Sequence, residues 1–83
     1  METSDKTFLS SDRYLHHTFK SSNNIAYVKY DSLLLSLLVI FHNGSEYEYS
    51  GVDLDTYNEL LLAHSAGSYF NTVIRKFKYE RLK

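Results

Sequence analysis

LLLSLLVIFHNGSEYEYS, residues 33–50, runs from a nearly unbroken apolar stretch through Asn43-Gly44 into alternating glutamate and tyrosine. Leu33 to Phe41 is apolar except for Ser36 and on composition alone fits either a buried strand or a piece of buried helix. The Asn-Gly pair decides for strand. Between apolar runs it is the strongest short hairpin signal, because both residues tolerate the positive φ that a two-residue primed turn demands. The run before the turn is then a strand apolar on both faces, as expected at the centre of a small sheet. Behind the turn, EYEYS is the next strand, with Tyr47 and Tyr49 on one face and Glu46 and Glu48 on the other. The glutamates leave their face to water. The tyrosines lie on the covered side, where they either close a core or offer a stacking platform to a ligand.

Upstream, SNNIAYVKYD alternates Ile25, Tyr27 and Lys29 with Ala26, Val28 and Tyr30 and is dense in β-branched and aromatic residues, which predicts a strand. Asp31 and Ser32 turn the chain. Downstream, Gly51 closes the sheet and the period becomes helical. DLDTYNELLLAHS has an acidic start, with Asp53 as the expected cap, and Leu54, Tyr57, Leu60, Leu61 and His64 are placed to face inward. Ser65-Ala66-Gly67 breaks this helix, Gly67 suiting a left-handed C-terminal residue. SYFNTVIRKF predicts a second helix capped by Ser65 or Ser68, with Tyr69, Phe70, Val73, Ile74 and Phe77 inward. The expectation is an α+β fold, a three-stranded antiparallel meander followed by two short helices packed on one face. Residues 1–20 lack a sustained period. They are read as an N-terminal arm or extra element in which Phe8, Leu9, Tyr14, Leu15 and Phe19 would form a short helix or an added strand.

The chain has 83 residues, 43% hydrophobic and 23% charged, with no cysteine, no proline, no tryptophan and eight tyrosines. That length holds one small core, and the balance is that of a globular chain. Zero cysteines exclude disulfides and thiolate metal sites, and a reducing cytoplasm fits best. Leu33 to Phe41 is too short to cross a membrane as a helix, and the polar, acidic start METSDKTFLSS is unlike a signal peptide. The net charge of −1 argues against a strongly cationic nucleic-acid binder, but its distribution is uneven. RKFKYERLK, residues 75–83, carries five of the nine basic residues against Glu80 alone.

Taken in order, SSNNIAYVKYD, then LxVxFxNGxxYxY (Leu37, Val39, Phe41, Asn43, Gly44, Tyr47, Tyr49), then GVD and LLLAHSAGSYFNTVIR, the chain resembles the KTSC domain. This domain is named for the C-terminal extension of some lysyl-tRNA synthetases and also occurs as a stand-alone bacterial or phage protein. The resemblance covers about residues 21–81 and assigns residues 21–83 to a KTSC-like domain. SSNNI has one Asn more than the family's usual SSNI, and Asp53 stands where the family often has proline. For function the resemblance implies only a suggestion of RNA binding.

An RNA-binding reading needs stacking aromatics beside cationic side chains. The candidates are Tyr47, Tyr49 and Tyr69 with Arg75, Lys76, Lys78 and Arg81. On a continuing helix Arg75, Lys78 and Arg81 recur at three-residue intervals and form one basic stripe. Asn71 and Ser65 are read as polar parts of the helix connection. The alternative is a protein-protein interaction module, phage-encoded and masking or inhibiting a host protein. No nucleophile with its base, phosphate-cradling loop or metal-ligand set has recognisable spacing, so no catalytic residue, cofactor or metal is expected. Ser65 beside His64 lacks a third orienting group, and the adjacent His16 and His17 cannot share a face. The oligomeric state stays open, a dimer being one option.

Overall fold

A computed structural model describes residues 13–20, 22 and 24–83 of the chain. It contains strands β1 (Tyr14–Thr18), β2 (Ile25–Asp31), β3 (Ser36–Phe41), β4 (Glu46–Ser50) and β5 (Lys78–Arg81). Helices α1 (Leu54–Leu62) and α2 (Ala66–Thr72) follow β4, and a single 3-10 turn, Ile74–Lys76, leads into β5. The strands form one antiparallel sheet in the order β1-β2-β3-β4-β5. The α+β class and the antiparallel meander are therefore as expected, but the sheet has five strands and not three.

Both added strands are edges. In β1 only Leu15 is half-buried, so YLHHT carries no amphipathic alternation. What places it is its ladder to β2, Leu15 opposite Tyr30 and His17 opposite Val28. Of the two options for residues 1–20, Tyr14–Thr18 takes that of an added strand, and Leu15 and Phe19 pack on the core. Phe8 and Leu9 lie outside the described residues. In β5 all four residues, KYER, are exposed, and their charges fit a helical stripe as well as a strand. The second helix stops at Thr72 because Thr72, Val73 and Ile74 are three β-branched residues in a row, each losing χ1 freedom in a helix. Phe77 is then extended, and the chain returns beside β4 with Tyr79 opposite Tyr49 and Arg81 opposite Tyr47.

The core lies on one face of the sheet. Ile25, Val28 and Tyr30 of β2, Leu37 and Val39 of β3 and Tyr49 of β4 are buried there against Val52, Tyr57 and Leu60, with Phe70 and Ile74 beside them. A register shift between Ile25 and Tyr27 keeps Ile25 on the same face as Val28. Tyr57 of α1 stacks on Tyr30, ring centroids 4.8 Å apart, and the Tyr30 hydroxyl donates to the Val52 carbonyl. Asp53 caps α1 by accepting from Thr56 N–H at 2.9 Å, as expected. Leu54 and His64, expected inward, are exposed, because the apolar face of α1 narrows to Tyr57, Leu60 and Leu61. Ser65 caps α2 through Ser68 N–H. Gly67 lies inside α2 without a positive φ, so α1 ends instead at an extended Ala63.

Two turns differ from expectation. Leu33–Leu35 do not belong to the central strand. The Asp31 carboxylate accepts from the N–H groups of Leu33 and Leu34 at 3.0 and 3.1 Å, which bends the chain into a turn, and Leu35 takes φ +56°. The Arg13 guanidinium grips the same carboxylate with two bonds of 2.9 Å. The β3–β4 hairpin is a three-residue loop and not a two-residue primed turn. Phe41 N–H bonds to the Ser45 carbonyl and Gly44 N–H to the Phe41 carbonyl, both at 2.9 Å. Gly44 alone has positive φ, +93°. Asn43 remains at negative φ because its Oδ1 accepts from Ser45 N–H at 2.9 Å, a local bond that fixes the turn.

Candidate functional site

On the helix-covered face the two helices shield β2 and β3 but leave the β4–β5 end partly open. There a groove of about 580 Å³ is bounded by the sheet, the β3–β4 loop and the end of α2. The strand alternation that carries Leu37 and Val39 inward continues to Phe41, and the hairpin sets it beside Tyr47, ring centroids 5.9 Å apart. Tyr47 and Tyr49 share the face and stack loosely at 6.4 Å. Tyr79 of β5 lies 5.7 Å from each. Phe70 of α2 meets Phe41 edge-on at 5.3 Å and Tyr49 at 5.5 Å. These five rings line the groove.

The two tyrosines of the EYEYS strand differ in role. Tyr49 is only 4% exposed and belongs to the core; burial, then its neighbours Tyr47 and Tyr79, push its phenol up from the ordinary value. Tyr47 is half-buried, and the Arg81 guanidinium carbon sits 5.6 Å from its ring centroid, a cation-π distance. Tyr79 is 57% exposed, so its ring and that of Tyr47 form the reachable wall.

Polar groups converge from two directions. Asn24, His42, Asn43 and Ser45 come from the loops at one end, Asn71 and Arg75 from α2 and the turn that follows it. The loops are tied together: His42 N–H bonds to the Asn24 carbonyl at 2.9 Å, and His42 Nε2 lies 3.1 Å from the Ser22 carbonyl. Ser22 Oγ in turn accepts from Ile25 N–H at 3.1 Å. Arg75 is the one cationic side chain of the lining, which has no carboxylate.

Of the residues singled out from sequence, Tyr47, Tyr49 and Arg75 line the groove and Arg81 covers Tyr47. Tyr69 is elsewhere. Its hydroxyl donates to Glu59 at 2.7 Å, and burial together with that carboxylate pushes its phenol up to about 12. Lys76 is exposed on the 3-10 turn, and Lys78, opposite Ser50, points to the other face of the sheet. The helical basic stripe of Arg75, Lys78 and Arg81 therefore does not exist, since the chain is a turn and a strand there. Asn71, read as part of the helix connection, lines the groove, whereas Ser65 does cap a helix. Sequence reasoning passed over Phe41 and Phe70 as core and did not place Tyr79. The alternation through Phe41 was a usable signal for the first; the last depends on a strand that the sequence hides.

A family model described as the KTSC domain matches residues 21–79. The chain belongs to the KTSC domain family. Its fold is similar to the crystal structure of a KTSC domain protein from Yersinia pestis, with a TM-score of 0.75 and 28% identity over 84% of this chain and 99% of that one. It is also 46% identical over 55 residues to the lysine–tRNA ligase of Trichormus variabilis. That match takes in 65% of this chain and 10% of the ligase, so this KTSC domain corresponds to a small part of the larger protein. Among the described residues no group of three or more His, Cys, Asp or Glu is placed to hold a metal ion, and no helix is long and apolar enough to cross a membrane.

Proposed function

We propose that this KTSC domain is a non-catalytic binding module that takes single-stranded RNA in the groove between β4, β5 and α2. The observation that carries the reading is the lining itself: a reachable tyrosine wall, one arginine, neutral amides and no carboxylate. Unpaired bases stack on tyrosine faces, and arginine meets the adjoining phosphate, so the groove suits the two chemistries of one ligand. The similarity to a segment of a protein named for its action on tRNA is in keeping with this. Duplexes suit it less, because their bases are not free to enter.

Fluorescence anisotropy with a labelled unstructured RNA over a salt series tests the proposal. Wild-type affinity falls as salt rises, and Arg75→Gln and Arg81→Gln each reduce the slope of log affinity on log salt by about 0.7, the single-strand proportion. Lys78→Gln changes it much less, since Lys78 faces the other way. Absence of wild-type binding at low salt would remove the RNA reading.

A second reading, a protein-interaction module acting by masking a partner, draws on the β2–β3 turn, where Leu33 and Leu34 are 69% and 66% exposed. Its mark is a stoichiometric complex recovered equally from nuclease-treated and untreated lysate and lost in the Leu33→Ser, Leu34→Ser double variant.

A further inference from the structure

An RNA-binding groove can be indifferent to sequence, following a charged backbone past repeated aromatic platforms, or it can read one base. The two designs look different. In the first the stacking rings are spread along an open channel. Here they converge: Tyr47 and Tyr79 both contact Tyr49, and Phe70 meets Phe41 and Tyr49 edge-on. The space is closed at one end by the tied β1–β2 and β3–β4 loops. Its volume, about 580 Å³, falls in the range of pockets that enclose one small ligand.

Among the polar groups around it, carboxamides are the most frequent. Asn43 is committed, its Oδ1 holding Ser45 N–H, and the His42 ring faces the Ser22 carbonyl. The side-chain amides of Asn24 and Asn71 line the groove, that of Asn24 beside Gly67 of α2, one helical turn before Asn71, and make no hydrogen bond among the described residues. A carboxamide presents a donor and an acceptor side by side. Adenine answers that pattern with its N6 amine and N7, the pairing through which asparagine reads this base elsewhere.

Building on the RNA reading, we propose that the groove is a slot for one unpaired adenine. The base lies against Tyr47 and Tyr79, the carboxamides of Asn24 and Asn71 read the edge that it turns toward α2, and Arg75 takes the neighbouring phosphate. The domain is then selective at one position of a single strand and tolerant on either side of it.

The test uses the full chain and four short labelled RNAs, an oligouridylate and the same oligomer with one central A, G or C. The A-containing strand binds about tenfold more tightly than the other three, the discrimination expected of one good bidentate contact. Asn24→Ala and Asn71→Ala reduce that preference while the salt slope stays at the wild-type value; circular dichroism confirms that both variants are folded. Arg75→Gln lowers the slope and keeps the preference. Four RNAs bound within about twofold of one another, with normal salt dependence, would overturn the slot and leave RNA binding standing. A preference for G or C would overturn the assignment to adenine. No binding of any of the four would overturn the slot together with the RNA reading.

Discussion

Tyr47 and Tyr49 stand two residues apart on one strand, yet burial separates their work. Tyr49 fills the core between Phe70 and Tyr79, and its replacement by alanine leaves a cavity, so Tyr49→Ala is expected to cost about 3–5 kcal/mol in denaturant unfolding. Tyr47 is half-buried under Arg81, and Tyr47→Ala costs clearly less while reducing RNA affinity by about 1–3 kcal/mol. Equal stability losses for the two variants would contradict this division. Tyr57 is a different case. Its hydroxyl is buried and has no hydrogen-bond partner among the described residues, so Tyr57→Phe removes a desolvated polar group while keeping the ring stacked on Tyr30. Its melting temperature is expected to equal or exceed that of the wild type, since an unsatisfied buried group costs about 1–3 kcal/mol. A marked fall would mean that the hydroxyl is bonded in solution.

At the level of elements, the hairpin and the β1 corner each rest on a few bonds. Gly44 at φ +93° makes Gly44→Val unfavourable by more than about 1 kcal/mol, because a β-branched residue resists that region. Asn43→Gly separates the two turn types: a primed turn would tolerate it, whereas the observed loop loses the bond to Ser45 N–H and about 1 kcal/mol with it. At the corner, the Arg13 guanidinium bonds, aided by the N–H groups of Leu34 and Leu33, hold the Asp31 carboxyl down at about 2, below its ordinary value of 3.8. A depressed carboxyl contributes stability that is complete above the unfolded value and is lost as pH falls through the folded one. Wild-type melting temperature should therefore drop from about pH 4 toward about pH 2, with a shallower drop in Asp31→Asn; parallel curves would show that the pair carries no linkage. These elements also mark what sequence could say. Asn43-Gly44, the EYEYS alternation and the Asp53 cap were legible because each is a local signal with a local cause. Strands β1 and β5 were not, since an exposed edge strand buries little and leaves no period. The Leu33–Leu35 turn was read as strand because its cause, the Asp31 carboxylate, precedes the leucines and its anchor, Arg13, lies 18 residues upstream.

For the whole molecule, the sheet separates two surfaces of different character. The helix-covered side holds the aromatic groove with Arg75 and Arg81. The other side carries Tyr14, with the Lys29 ammonium and the Arg13 guanidinium each 4.8 Å from its ring, next to half-buried Leu38 and Ile40 and, on β4, Glu46 and Glu48. A basic helical tail read from sequence would have spread binding along one exposed stripe; the folded chain instead bends Arg75 and Arg81 toward the YxY tyrosines and sends Lys78 to the opposite side. Half of the groove was thus legible from the aromatic pattern. The other half depended on β5 returning to the sheet, a long-range event with no local trace. The most direct measurement of where ligand sits is a titration of the isotopically labelled chain with unstructured RNA followed by amide and side-chain NMR shifts. The account predicts that the perturbed signals gather at Tyr47, Asn71, Arg75 and Tyr79 and spare Tyr14, Lys29 and the Leu33–Leu35 turn. Perturbations centred on that turn or on the Tyr14 face, with the groove unchanged, would contradict it.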